Sequence, residues 1–435
     1  MMKSQVVLLG GFIIAVAGCG SPQPGLAPTH SNAVDSLEAT AVPGQLLVGY
    51  RSGNVTKLAR RARILGHNPT LEIVLVAPNP GDNLEKLKAD LASDPSVSFV
   101  EENLLFRLPR PTAAIRQFSG GSSRNKPLIG LGGNDPLLEQ QWHHPKINTM
   151  QAWRVTKGQG VTVAVVDSGV DLGHPDLRSN LLNGTNTLEN NNDPRDDNGH
   201  GTHVAGIVAS IFSNGIGGVG VAPEVKILPI RALGDAGGSA QSVSTAIQWA
   251  TDHGTAVINL SLGTTKRSKA IASAIRYALA KGVVVVAAMG NSGDQGNPKQ
   301  YPASEPGVIA VGALDPQDKV TPWSDYGDWA AVAAPGYGIW STFPTYEVSL
   351  TRFAKEHPDA LPPEDKIQLN YAALSGTSQA APIVSGIAAL LRAANPQMSP
   401  QQVRDKLMKT AKDLGPVGFD PHYGAGMADA VLALQ

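Results

Sequence analysis

The chain has 435 residues, 42% of them hydrophobic and 16% charged, and a formal net charge of -1. That supplies enough apolar side chain for one large core or two modest ones. A near-neutral chain has no basic footprint for a phosphate backbone, which sets nucleic-acid binding aside.

At the start of the chain, Lys3 precedes an apolar run, Val6 to Ala17, that is too short for a good membrane span. The run ends in Val16-Ala17-Gly18-Cys19, and Cys19 is the only cysteine. This resembles the box of bacterial lipoproteins, in which the cysteine becomes the lipidated N-terminus after signal cleavage. An ordinary secretory signal with a chance cysteine is the other reading. Residues 1–18 are thus expected to be a signal peptide, Cys19 the lipidation site, and 19–41, rich in Pro, Ser, Ala and Thr, a flexible tether. With one cysteine there are no internal disulfides, so stability outside the cell must come from packing or bound ions.

From residue 42 the pattern becomes periodic. Gln45–Tyr50 and Leu71–Val76 read as strands, and Asn83–Leu91, with Leu84, Leu87 and Leu91 at helical spacing, as a helix. Val97–Glu101 and Leu104–Leu108 read as two closing strands of a small α+β unit over 42–108. Residues 109–133, rich in Pro, Gly, Ser, Arg and Lys, read as an exposed linker and processing region.

Beyond residue 134, apolar runs at Val161–Val166, Val225–Ile230, Ala256–Leu260, Val283–Ala288 and Gly307–Val311 have the look of buried parallel strands. Ser239–Asp252 and Ser268–Ala280 between them carry helical periodicity. The alternation predicts an α/β domain over 134–435, a mostly parallel sheet covered by helices on both faces. Ser399, Pro400 and Gln402 announce a late helix with a capping box.

Three residues stand in settings suited to hydrolytic chemistry. A serine hydroxyl needs a base in contact and a carboxylate to orient that base. Asp167 ends an apolar strand, His200 lies between two glycines at a helix start, and Ser378 follows Gly376-Thr377 ahead of an apolar helix. Singly these are a turn residue, a structural histidine and a helix cap. Jointly, Val-Val-Asp-Ser-Gly, Asn-Gly-His-Gly-Thr-His-Val-Ala-Gly and Leu-Ser-Gly-Thr-Ser-Gln-Ala-Ala-Pro resemble the motifs of subtilisin-like serine peptidases, in the order known for subtilisins. The likeness, to the thermitase-like branch, runs from about Asn134 to Ala433. Upstream, Asp94 to Asn103 resembles the end of subtilisin propeptides.

The resemblance implies that Ser378 is the nucleophile, His200 its base and Asp167 the orienting carboxylate, with Asn291, in Met289-Gly290-Asn291-Ser292-Gly293, donating to the oxyanion. His203 is expected to pack. Ser261, Leu262 and Gly263 match the substrate-binding edge, and Gln300, before Tyr301-Pro302, the floor of the main specificity pocket. The implied cofactor is Ca2+, held by Asp135, Asp176, Asn214 and the carbonyls of Phe212, Ile216 and Gly218. For the acidic run Asn190 to Asp197, a second cation site and a solvated loop both stay open. The implied protein is an exported endopeptidase acting on proteins or peptides. It would be inhibited by its own propeptide, membrane-bound only through the Cys19 lipid, released by cleavage in 109–133, and monomeric once mature. A non-catalytic surface lipoprotein binding extended peptides is the alternative. Departures from the family pattern are Gln379 in place of the usual Met, Met289 at a normally small position, and an apparent insertion, Glu347 to Asn370, expected to be a surface loop or short helix.

Overall fold

The computed structural model describes residues 40–51, 55–106, 108 and 133–435. Cys19, the tether and nearly all of the linker lie outside these residues. No helix among the described residues is long and apolar enough to cross a membrane.

The first strands, β1 (Ala41–Tyr50), β2 (Arg63–Asn68), β3 (Ile73–Ala77) and β4 (Val97–Phe106), form an antiparallel sheet in the order β2-β3-β1-β4. The helix Leu84–Ala92, capped by Asn83, crosses one face. The predicted pair Val97–Glu101 and Leu104–Leu108 falls on one continuous strand, β4, described as far as Phe106. Its central polar residues suggested a break, but each finds partners on other elements. Asn103, buried, donates to Gln45 Oε1 at 2.8 Å and accepts from the Gln241 backbone N–H at 3.0 Å. Sequence periodicity misses β2, because most of its side chains are exposed.

The large sheet is built from β5 (Thr162–Asp167), β6 (Thr185–Asn186), β7 (Lys226–Arg231), β9 (Val257–Leu260), β10 (Val284–Ala288), β11 (Ile309–Leu314) and β12 (Val332–Pro335). All its pairings are parallel, in the order β12-β11-β10-β9-β5-β7-β6. Alternate residues bury on opposite faces, as strand geometry requires. Val163 and Val165 join a core with helices His200–Ala209 and Thr377–Ala394; Ala164 and Val166 join another with helices Ala240–Asp252 and Lys269–Ala280. Ser239 and Ser268 cap the latter two helices, and Ser399 and Gln402 form the expected capping box on Pro400–Lys409. A third sheet, β13-β15-β14, combines β13 (Ile339–Thr342), β14 (Lys366–Ile367) and β15 (Tyr371–Leu374) around the insertion.

The two larger sheets meet through the two-residue strand β8 (Gly238–Ser239), which pairs antiparallel with Leu105 and Phe106 of β4. Glu101 seals the contact further. Its carboxylate accepts from the Ser268 hydroxyl and from the Lys269 and Ala270 backbone N–H groups at 2.8, 2.7 and 3.0 Å. An anion at a helix N-terminus is favoured by the unpaired N–H groups and the helix dipole.

Candidate active site

The parallel strands β10, β9 and β5 are neighbours; Asp167 ends β5, Ser261–Gly263 follow β9, and Asn291 lies just beyond β10. Open α/β sheets present ligands beyond such carboxyl ends. Asp167 closes β5 and is fully buried. Its Oδ1 accepts from the Ser168 backbone N–H at 2.8 Å and lies 2.8 Å from His200 Nδ1. A carboxylate only accepts, so Nδ1 carries the proton and Nε2 is left as the basic nitrogen. His200 Nε2 is buried with no protein partner among the described residues.

Two glycines allow this placement. Gly199, at φ 109°, abuts the Phe343 ring, and a Cβ on Gly201 would collide with the Gly169 carbonyl. Only glycine lets the helix start press so closely on the end of β5. The His200 ring is almost enclosed, being 4% exposed. Burial lowers its affinity for a proton, but the carboxylates of Asp167 and Asp196 more than reverse this and hold it above the usual value.

Asp196 is a residue the motif reading missed as part of this site. It is fully buried, and its Oδ1 accepts from the Ser168 hydroxyl at 2.8 Å and the Asn198 and Gly199 N–H groups. Its Oδ2 accepts from the Thr202 N–H and hydroxyl. It thus pins the end of β5 to the first turn of the histidine helix. Elsewhere in that acidic run, Asp193 pairs with Arg195 and Asp197 with Arg231. His203 packs as expected, with Nε2 3.0 and 3.1 Å from the Ile339 and Ala372 carbonyls.

Ser378 is the second residue of helix Thr377–Ala394 and is 2% exposed. Its hydroxyl is turned to the Ser261 carbonyl at 3.3 Å, and the Ser261 hydroxyl returns a bond to the Ser378 carbonyl at 2.9 Å. Behind this pair, Asn259 donates to Ser261 Oγ and accepts from Ser385 Oγ, tying β9 to the serine's helix. Asn259 and Ser385 gave no local signal, since their partners are far away in the chain.

Asn291 follows β10. Its Oδ1 accepts from the Thr377 N–H and hydroxyl, both at 2.9 Å, which fixes the amide so that Nδ2 is the free donor end. Nδ2 stands beside Gly376, directly before Thr377 and Ser378. Gln379 and Met289, the two departures, are both buried, and Gln379 Nε2 has no partner among the described residues. Leu262 is buried, and Gln300 Oε1 lies against Gly263. The insertion contains the helix Ser349–Glu356. The Ser349 and Leu350 N–H groups donate to the Asp197 and Asn198 carbonyls, bracing the loop that leads to His200.

Three of the candidate cation ligands, Asp135, Asp176 and Asn214, come together. Asp135 accepts from the Ser213, Asn214 and Gly215 N–H groups, and Asn214 Nδ2 lies 2.7 Å from Asp176 Oδ1. The carbonyls of Phe212, Ile216 and Gly218 accept no hydrogen bond among the described residues. Burial, partly offset by Asn214 and reinforced by the charge of Asp135, pushes Asp176 up to about 7. The Asn214 amide turns its nitrogen to Asp176 and its Oδ1 accepts from the Ile216 N–H at 3.0 Å; buried carboxylates, an amide and carbonyls with no hydrogen-bond donor are the oxygen donor types a hard divalent cation takes.

A sequence profile of the subtilase family, peptidase family S8, matches residues 158–426. Thermitase from Thermoactinomyces vulgaris is 38% identical over 304 residues, covering 69% of this chain and 99% of that protein. The thermophilic serine proteinase of Bacillus sp. (strain AK1) is 36% identical over 345 residues, 79% of this chain and 74% of that one. Among solved structures, fervidolysin from Fervidobacterium pennivorans, a keratinolytic enzyme related to subtilisin, superposes with a TM-score of 0.76 at 30% identity over 91% of this chain. The match spans 61% of the length of the fervidolysin chain.

Proposed function

Because this chain belongs to the subtilase family and is a serine endopeptidase, we propose that it cleaves peptide bonds in proteins through Asp167, His200, Ser378 and Asn291. The observation that carries this reading is the 2.8 Å contact between Asp167 and His200 Nδ1, which leaves a buried, unpartnered Nε2 ready to take a proton. The Ser378 hydroxyl leaves the Ser261 carbonyl, passes its proton to His200 and attacks the substrate carbonyl carbon. Asn291 Nδ2 and the Ser378 backbone N–H, in the first helical turn, donate to the oxygen as it becomes negative. His200 then delivers the proton to the departing amine, leaving an acyl ester on Ser378. Water, deprotonated by His200, releases the acid product, while Asp167 stays ionised and balances the imidazolium charge.

Calcium is proposed at Asp135, Asp176 and Asn214 with the carbonyls of Phe212, Ile216 and Gly218. A bound cation would neutralise the two carboxylates and tie 212–218 to the segment around Asp135, with no part in the reaction. The 42–108 unit is read as a propeptide. What supports this is the pairing of β4 with β8 and the capping of two helices by Glu101 and Asn103. Export, lipidation at Cys19 and release by cleavage within 109–133 complete the reading.

Replacing Ser378 with Ala tests the centre of it. Casein hydrolysis is expected to fall by a factor on the order of 10⁶, the size of effect established for subtilisin, and labelling by a fluorophosphonate to disappear. Turnover retained by the variant would overturn the assignment.

A further inference from the structure

The insertion, Glu347 to Asn370, is tied to both sides of the active site. Beside its start, Tyr346 gives its hydroxyl proton to the Asp196 carbonyl at 2.8 Å. The Ser349 and Leu350 N–H groups donate to the Asp197 and Asn198 carbonyls at 3.1 and 3.2 Å, just ahead of His200. Near its end, Lys366 and Ile367 of β14 pair with Ala373 and Ala372 of β15, the strand that runs on towards Ser378. Between these anchors lies Asp365, 5% exposed. Its Oδ1 accepts from the Ser375 hydroxyl at 2.7 Å, and Ser375 Oγ accepts from the Gly338 N–H at 2.9 Å. The next two residues are held as well, Gly376 by the Gly336 carbonyl at 2.8 Å and Thr377 by Asn291 Oδ1. Among these holds on the turn before the nucleophile, the insertion supplies the one on Ser375.

We propose that Asp365 is a positioning residue for the nucleophile, holding Ser375 and, through the turn 375–378, fixing where the Ser378 hydroxyl stands relative to His200. This rests on the proposed role of Ser378. Taking a carboxyl out of water is unfavourable, and an apolar side chain would fill the same space without that penalty. Here the buried acceptor serves a hydroxyl three residues ahead of the nucleophile. The Ser378 hydroxyl rests 3.3 Å from the Ser261 carbonyl and has to swing to His200 Nε2 before it reacts. A misplacement of about 1 Å at such a step lowers the rate on the order of a hundredfold. The same insertion braces the chain ahead of His200, so it supports both partners of the proton transfer.

Burial pushes Asp365 well above the usual carboxylate range, against the bond from Ser375 and the charge of Lys366 and with Glu364 adding to the rise. What Ser375 requires is an acceptor and not a charge. A neutral carboxyl and an amide each present one. Asparagine at 365 should therefore keep the hold on Ser375, whereas leucine removes it.

The test uses the full chain, incubated with calcium, and measures kcat and KM on fluorogenic peptides, the rate of fluorophosphonate labelling and the thermal melt. Asp365→Leu is expected to lower kcat by roughly ten- to a hundredfold with KM unchanged, and to slow labelling equally. Asp365→Asn should restore most of both rates. Ser375→Ala should behave like Asp365→Leu, and the double variant should be no slower than the slower single one, because the two residues act along one path. A kcat unmoved in Asp365→Leu and Ser375→Ala, even with a lowered melt, overturns the proposal and leaves Asp365 a structural residue. Losses that add in the double variant, or an Asn variant as slow as the Leu one, overturn it too. Where Asp365→Leu does not fold, Ser375→Ala decides alone, an unchanged kcat counting against the proposal. A wild type that neither cleaves nor takes the label overturns the proposed function itself, and this inference with it.

Discussion

The two larger sheets solve the same problem in opposite ways. The parallel sheet is buried on both faces by helices of its own domain, so its strands are almost wholly apolar. The antiparallel sheet covers one face with its own helix, where Leu46, Val48, Val74 and Val76 meet Leu87 and Leu91. Its other face, with Leu47, Ile73, Leu75, Leu104 and Phe106, closes against residues of the larger domain such as Val243, Ile247 and Leu262. A unit of about 65 residues is near the lower limit for independent folding. One core of the parallel sheet is thus formed by its own region alone, while the antiparallel sheet shares half of its core with the other region.

Removing a side chain from the shared half is the strongest way to break this asymmetry. Phe106 is 1% exposed, and Phe106→Ala should cost about 3–5 kcal/mol. Hydrogen exchange is expected to show 41–106 losing protection while the parallel sheet keeps its own. Equal loss in both would mean that they form one cooperative unit. The converse dependence, under the proposal made above, is that of the larger region on a cation. Chelating calcium should remove about 2.7 kcal/mol of its stability at a concentration one hundred times the dissociation constant. The melting temperature would fall on addition of chelator and recover with calcium; a melt indifferent to both excludes the site at Asp135 and Asp176.

A smaller effect is expected at the seam. Glu101→Ala strips the acceptor from three donors at a helix start, a loss of about 1–2 kcal/mol. The interface should loosen, seen as faster proteolysis of 41–106, with Glu101→Gln intermediate. An unchanged rate would show that β4–β8 pairing and apolar contact carry the docking alone.

The same asymmetry explains what could be read from sequence. Strands buried on two faces appear as apolar runs, so β5, β7, β9, β10 and β11 are legible to within a few residues. β2 is not, because most of its side chains face solvent, and β4 is read as two strands because Glu101, Glu102 and Asn103 find partners on other elements that only the fold brings near, among them Lys269, Lys266 and Gln241. Asp167, His200, Ser378 and Asn291 are conspicuous because flanking glycines and strand or helix ends mark them locally. Asp196, Asn259 and Ser385 carry no such mark. Each acts through a partner that only the folded chain brings near, as Asn259 and Ser385 do across 126 residues.

The smallest predicted effect belongs to the larger domain alone. His200 is held above the ordinary imidazole value by Asp167 and Asp196, and no group of 41–106 enters that balance. Proton uptake from Ser378 requires neutral His200, so kcat/KM should rise with pH along a limb centred above about 6.5, the value for a free imidazole. Stability runs the other way. A histidine whose folded value is raised contributes stability that is fully present below its unfolded value and is lost as pH rises through the folded one. Activity thus appears over the pH range in which this contribution to stability disappears. Asp196→Asn removes one of the two charges and should move the limb to lower pH, whereas Phe106→Ala and Glu101→Ala should leave it in place. A limb that follows the interface variants would mean that the small sheet reaches the His200 environment, and the division between the two regions would have to be redrawn.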